Sequence, residues 1–241
     1  MAVRMIMAGL LLMCSVVTPF DIMRYASVQY SILYQEWLDS SGKFYPSEGN
    51  PLETDWNATG PTSGWTQGYF PGVLWNLVEY NVTREALQRA IDVTAPTAPF
   101  AQETETHDVG VVIMSGFGNG YRLTKRPEYL DVVVQAAHSL ATRYSPIVRC
   151  IRAWNSAQGF LVIIDGTMNL ELMFEAANQT NNQTLYNIAW QHANRTMHEH
   201  FRENNSTYHV VEYNETDGSV VRKYTVQGTK NMRFFYRLFL I

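Results

Sequence analysis

Two aspartates stand where a carboxylate could carry out acid–base chemistry. Asp108 follows His107 and directly precedes an apolar run. Asp165 follows the apolar residues 160–164, and Asn169 comes four positions later, on the same face if the segment is helical. An apolar environment favours the neutral form of a carboxyl group, which suits a general acid near neutral pH.

Both aspartates also have a purely structural explanation. An aspartate at the start of a helix commonly accepts hydrogen bonds from the free backbone N–H groups of the first turn. Asp165 also precedes Gly166, and Asp-Gly pairs are typical of turns. From these residues alone, a capping role and a catalytic role both remain open.

Residues 65–72 concentrate aromatic rings and glycines where a helix is expected to begin. Such a helix start offers free N–H groups and a flat stacking face to a polar ligand. Ordinary packing at a junction between loop and helix is the more common explanation of such a segment.

A hairpin is predicted near residues 206–227, with its turn at Asp217 and Gly218. If this hairpin folds back over the helix ends, it could bring His209 and Gln227 close together at one edge of the helices. A lone histidine, however, is more often a surface or core residue than part of a site.

The composition is that of a globular protein. The chain has 241 residues, of which 46% are hydrophobic and 17% charged, and its formal net charge is -4. The negative charge and the absence of a Lys/Arg run argue against nucleic acid as a partner.

The N-terminus and the glycosylation motifs predict a secreted protein. Arg4 precedes the apolar residues 5–17, a run too short to span a bilayer, so residues 1–20 are predicted to be a signal peptide. A signal anchor or an N-terminal core helix are the alternatives. No stable membrane association is expected once the signal is removed. Eight Asn-x-Ser/Thr motifs indicate exposed positions in a secreted protein, and they lie at Asn57, Asn81, Asn178, Asn182, Asn194, Asn204, Asn205 and Asn214.

The apolar periodicity predicts about seven amphipathic helices and an all-α fold. The expected ranges are 21–39, 67–80, 84 to the prolines at 96 and 99, 107–118, 127–144, 162–177 and 184–202. Residues 40–63 are predicted to form a long loop. Short connections favour antiparallel helical hairpins, which could close into a toroid or stack as a solenoid. The absence of a strict repeat argues against a regular solenoid.

Five segments, taken in order along the chain, resemble motifs of glycoside hydrolase family 88, the unsaturated glucuronyl hydrolases. Residues 65–72 are similar to its Trp-Thr-x-Gly-Phe-x-Pro-Gly segment, 107–110 to its His-Asp-x-Gly motif, and 163–170 to its Ile-Ile-Asp-x-x-Met-Asn-Leu motif. Residues 152–155 and the Ser-x-Tyr-His-Val segment that ends at Val210 also have counterparts.

This resemblance implies a hydrolase with an (α/α)6 toroid and a site at the mouth of its central cavity. The expected substrates are oligosaccharides with a 4,5-unsaturated uronic acid at the non-reducing end. The family hydrates the enol-ether double bond, rather than displacing the glycosidic bond by the usual two-carboxylate route. No metal or organic cofactor is expected. The alternatives are an unsaturated rhamnogalacturonyl hydrolase and a non-catalytic saccharide-binding or inactive fragment.

The resemblance also implies roles for individual residues. Asp165 would protonate C4 and then help to deprotonate the incoming water, while Asp108 would orient the sugar hydroxyls and assist Asp165. The remaining matched positions would bind the substrate, and they are His107, Trp65, Trp154, His209 and Gln227.

The sequence departs from the family after Gly228. The family continues with a Trp-x-Arg-Gly-Gln-x-Trp motif, which residues 229–241 do not contain. This departure predicts a partial toroid domain over residues 21–228, an atypical tail over 229–241, and a chain truncated relative to the family.

Overall fold

The computed structural model describes residues 18–49, 56–81, 83–155 and 159–226. The predicted signal peptide up to residue 17, Gln227 and the predicted tail lie outside these ranges. Among the residues inside them, no helix combines the length and the apolar character needed to cross a membrane.

Helices dominate the described part of the chain, as predicted. They are α1 (Pro19–Asp39), α2 (Tyr69–Glu79), α3 (Ala86–Thr94), α4 (Val109–Ile113), α5 (Asn119–Thr124), α6 (Pro127–Ala141), α7 (Leu170–Thr180) and α8 (Gln183–Glu199). A 3-10 segment, Ala95–Gln102, continues α3, and a π turn, Met114–Gly118, joins α4 to α5. Consecutive helices pack as neighbours, α2 against α3 and α7 against α8. The all-α prediction, with about seven helical rods, is confirmed.

The strands form three small sheets. They are β1 (Tyr45–Gly49), β2 (Trp56–Thr59), β3 (Tyr144–Ser145), β4 (Cys150–Ile151), β5 (Phe160–Ile163), β6 (Val210–Tyr213) and β7 (Val220–Tyr224). The predicted hairpin is the β6–β7 pair, whose turn contains Gly218 at φ +73°. A positive φ favours glycine at this position.

The prediction of a long loop over residues 40–63 is wrong, because β1 and β2 pair there in antiparallel fashion. Tyr45 anchors this hairpin: its side chain is fully buried, and its hydroxyl donates a hydrogen bond of 2.8 Å to the Val93 carbonyl. The many Ser, Gly and Pro residues of the segment conceal the short strands from a pattern-based prediction.

The predicted helix over residues 162–177 is wrong at its start. Residues 160–163 form β5, which pairs with β6, and a 3-10 segment, Ile164–Asn169, then leads into α7. All four side chains of β5 are buried. A short apolar run buried on both faces cannot be distinguished by periodicity from the start of a buried helix.

Two glycines allow the segments that carry the candidate site to approach each other closely. A Cβ atom on Gly68, at the start of α2, would lie 2.6 Å from the Val112 Cα atom of α4. A Cβ atom on Gly110 would lie 2.5 Å from the Asn169 Cβ atom. Real Cβ atoms do not approach other heavy atoms this closely, so both positions require glycine.

We therefore expect Gly110→Ala to destabilise the fold. The added methyl group must push α4 away from the 3-10 segment, and overpacking of this kind costs about 1–3 kcal/mol. The urea midpoint of unfolding measures the effect. Gly116→Ala is the matched control, since Gly116 lies in the same helical rod and its Cβ would come no closer than 3.3 Å to a neighbouring atom. An equal shift in both variants would contradict the proposed close approach.

Candidate active site

Two carboxylates converge on one buried imidazole. The Nε2 atom of His107 lies 3.4 Å from Asp108 Oδ1 and 3.8 Å from Asp165 Oδ1. The His107 side chain is 3% exposed, whereas Asp108 is 25% and Asp165 54% exposed. The two aspartates predicted from the sequence to work as a pair therefore share one ring nitrogen at the edge of the core.

The segment that carries His107 is held by backbone hydrogen bonds. Its N–H donates to the Ala153 carbonyl at 2.8 Å, and Thr106 and Trp154 form an antiparallel bridge. Arg143 joins the two backbone segments on either side of this bridge. Its buried side chain donates to the carbonyls of Arg152, at 2.9 Å, and Thr104. Burial, and then the charge of Arg152, lower the pKa of the Arg143 guanidinium.

Asp108 occupies the N-cap position of α4 but makes no capping hydrogen bond with its side chain. Its carboxylate instead accepts a hydrogen bond of 2.6 Å from the Thr106 hydroxyl, while its own N–H donates to that hydroxyl at 3.2 Å. The capping explanation is therefore wrong for Asp108. The carboxylate is held in place beside His107 and leaves the helix start uncapped.

Asp165 lies in the first turn of the 3-10 segment, where the adjacent Ile164 N–H donates to the His209 carbonyl at 3.0 Å. Its carboxylate makes no hydrogen bond to any residue in the described part of the chain. The expectation of an apolar environment is wrong, because the preceding apolar residues turn into the core as β5 while the Asp165 side chain remains more than half exposed.

Asn169 is buried and does not stand beside Asp165 at the surface. Its Oδ1 atom accepts a hydrogen bond of 2.7 Å from the Val111 N–H at the start of α4. Asn169 therefore links the segment of Asp165 to the segment of His107 and Asp108, and it positions the site without facing the substrate.

His209 and Tyr69 complete the electrostatic environment of the pair. Burial lowers the pKa of His209, and the nearby Asp165 partly opposes this shift. Burial raises the pKa of the Tyr69 hydroxyl, and the charges of Asp108 and Asp165 raise it further. Tyr69 was not singled out from the sequence, although its hydroxyl-bearing ring within residues 65–72 was the available signal.

The two predicted aromatic contacts, Trp65 and Trp154, have different surroundings. Trp65 is exposed and stands edge-on to Tyr69, with 6.0 Å between the ring centroids. Trp154 is partly buried against a small cluster that includes Leu161 and Val210. Gln227 lies outside the described residues.

Burial keeps His107 neutral. Removal from water lowers its pKa, and the charges of Asp108 and Asp165 oppose that shift without reversing it. Within the described ranges, no group of three or more His, Cys, Asp or Glu residues could hold a metal ion.

Several known proteins resemble this chain in sequence. No protein-family model matches the chain. It is 37% identical over 172 residues to an unsaturated glucuronyl hydrolase of Formosa agariphila, a match that covers 70% of this chain and 43% of the relative. It is 27% identical over 170 residues to an unsaturated chondroitin disaccharide hydrolase of Streptococcus pyogenes, covering 68% of this chain and 43% of that relative.

Solved structures are similar to the chain in fold as well. The chain superimposes on an unsaturated glucuronyl hydrolase specific for heparin with a TM-score of 0.78 and 31% identity, over 88% of this chain and 57% of that one. The TM-score is 0.75, with 23% identity, for an unsaturated glucuronyl hydrolase of Streptococcus agalactiae, over 87% of this chain and 54% of that one. The chain thus spans less than half the length of these curated relatives and slightly more than half of these structures.

The buried imidazoles predict a loss of stability in mild acid. Burial is the main cause that lowers the pKa of His192 to about 3 and that of His200 to about 4. The unfolded chain binds a proton at each ring below about pH 6.5, whereas the folded chain does not until these lower values. The free energy of unfolding should therefore fall by about 2 kcal/mol per ring between pH 7 and pH 5.

Urea titrations across this pH range measure the fall in the free energy of unfolding. In His200→Gln, this fall should be smaller by about 2 kcal/mol. The control is His138→Gln, which removes a histidine exposed on α6 instead of a buried one. A stability that is constant from pH 7 to pH 5 would contradict the neutral, buried state of these rings.

Proposed function

Because the chain belongs to glycoside hydrolase family 88, the unsaturated glucuronyl hydrolases, we propose that it acts on saccharides ending in a 4,5-unsaturated uronic acid. The proposed reaction is hydration of the C4=C5 double bond. The convergence of Asp108 and Asp165 on His107 carries this proposal, because general acid–base catalysis needs a carboxyl group held where it can reach the reacting atom of a bound substrate.

The surroundings of the two carboxylates divide their roles. Asp165 is exposed and receives no hydrogen bond from the described residues, so it is free to approach a substrate carbon. Asp108 is held by the Thr106 hydroxyl and lies beside His107, which suits a group that accepts hydrogen bonds from sugar hydroxyls. We therefore assign proton transfer to Asp165 and substrate orientation to Asp108.

In the proposed reaction, Asp165 transfers its carboxyl proton to C4. The π electrons of the double bond form the new C–H bond, and positive charge develops at C5, where the ring oxygen shares it. A water molecule adds to C5 and gives its proton to the Asp165 carboxylate, which restores the acid. The resulting hemiketal opens to a keto acid and releases the remaining saccharide.

The other predicted residues would bind the sugar around this pair. His209 lies close enough to Asp165 to feel its charge. Trp65 and Tyr69 offer exposed rings for stacking, and Trp154 is only partly buried. Relatives are named for unsaturated chondroitin disaccharides or for specificity toward heparin, so a glycosaminoglycan-derived disaccharide is the first substrate to test.

Asp165→Asn should abolish turnover of an unsaturated disaccharide by at least about 100-fold, the scale of a lost general acid–base group. Loss of the ultraviolet absorbance of the conjugated double bond measures the rate. Asp131→Asn, which alters an exposed aspartate on α6, is the control and should keep full activity. Unchanged turnover in Asp165→Asn would refute its role, and binding without turnover by the unaltered chain would favour a saccharide-binding protein instead.

We also propose that the protein is secreted and glycosylated. None of the eight asparagines in Asn-x-Ser/Thr motifs is buried, so each is open to a glycosyltransferase. Expression in a eukaryotic secretory host should give a product whose mass falls after N-glycosidase treatment. Asn57→Gln, on the exposed strand β2, should remove one glycan's mass. A cytosolic product without glycans would contradict the proposal.

A further inference from the structure

His192, on α8, is buried next to Gly166 in the segment that carries Asp165. Its side chain is 1% exposed. The Nδ1 atom accepts a hydrogen bond of 2.9 Å from the Ile151 N–H. A backbone N–H can only donate, so Nδ1 carries a lone pair, and the neutral ring must hold its proton on Nε2.

This Nε2–H group has no hydrogen-bond partner among the described residues. A buried donor left unsatisfied costs about 1–3 kcal/mol, and such a group in a native fold calls for an explanation. The ring is held by its other nitrogen, so the unsatisfied N–H has a fixed direction.

The Nε2–H group of His192 lies close to Gly166. A Cβ atom on Gly166 would lie 3.4 Å from His192 Nε2 and 3.2 Å from His107 Nδ1. Both nitrogens therefore border the small space that glycine leaves open next to Asp165. The space lies between a donor and a ring nitrogen able to accept, so one bridging water can join the two rings.

We propose that His192 is a positioning residue that fixes the tautomer of His107. Its Nε2–H group donates through one bridging water to His107 Nδ1, and the His107 proton is then confined to Nε2. That nitrogen faces Asp108 Oδ1 at 3.4 Å and Asp165 Oδ1 at 3.8 Å. In the opposite tautomer a ring lone pair would face two carboxylates, and no donor would lie between them.

The consequence for catalysis rests on the proposed function. A His107 ring that always donates from Nε2 stabilises the negative charge on Asp108 and leaves Asp165 free to take and return its proton. Gly166 serves the same arrangement, because any side chain at this position would fill the space between the two rings.

The test is a ¹⁵N NMR measurement of the histidine rings in the intact chain, since the ring nitrogen shifts report the tautomer without any turnover. We expect His107 to be protonated at Nε2 only. His192→Asn keeps an acceptor for the Ile151 N–H but is too short to place a donor at the position of Nε2, so it should yield a mixture of His107 tautomers. His192→Gln extends an amide N–H toward the same space and should restore the single tautomer.

Gly166→Ala tests the tautomer of His107 independently if His192→Asn does not fold, and it should also produce a mixture of tautomers.

In the turnover assay, His192→Asn should lower kcat by about 10- to 100-fold with KM nearly unchanged, the scale of a lost outer hydrogen-bond partner. A His107 tautomer unaffected by either substitution would overturn the proposal. Absence of turnover in the unaltered chain would instead count against the proposed function, and the NMR result would still decide the role of His192.

Discussion

The contact between Gly110 and Asn169 is the constraint on which the rest of the site depends. It allows the start of α4 to touch the 3-10 segment before α7, and the Asn169 amide oxygen then accepts the Val111 N–H at 2.7 Å. His107 and Asp108 immediately precede this contact on one segment, and Asp165 precedes it on the other. The two carboxylates can share one imidazole only because two stretches of backbone, nearly sixty residues apart, are in contact.

The two aspartates next to that contact differ in how firmly their side chains are held. Asp108 is fixed by the Thr106 hydroxyl, and the segment beneath it is fastened by the buried Arg143. Asp165 projects from a short turn after β5 and is more than half exposed. A pair with one fixed and one free carboxylate is suited to orient a substrate and to move a proton at the same time.

The sequence allowed the helices, the β6–β7 hairpin and both aspartates to be predicted, because each has a local signal: amphipathic period, an Asp-Gly turn, or a family motif. What it could not reveal depends on contacts between distant segments. The apolar run at 160–164 is a strand because β6 pairs with it, and the β1–β2 hairpin exists because Tyr45 reaches the core. Likewise, Asn169 resembled a partner of Asp165 in sequence but turns inward to α4, and His192 gives no local signal at all.

We have proposed that the chain protonates C4 of the unsaturated sugar instead of displacing its glycosidic bond. The most direct measurement is NMR of the first-formed product from an unsaturated disaccharide turned over in D₂O. We expect a keto acid that carries one deuterium at C4 and has lost the double bond. Release of a sugar with an intact C4=C5 double bond and no deuterium at C4 would contradict it.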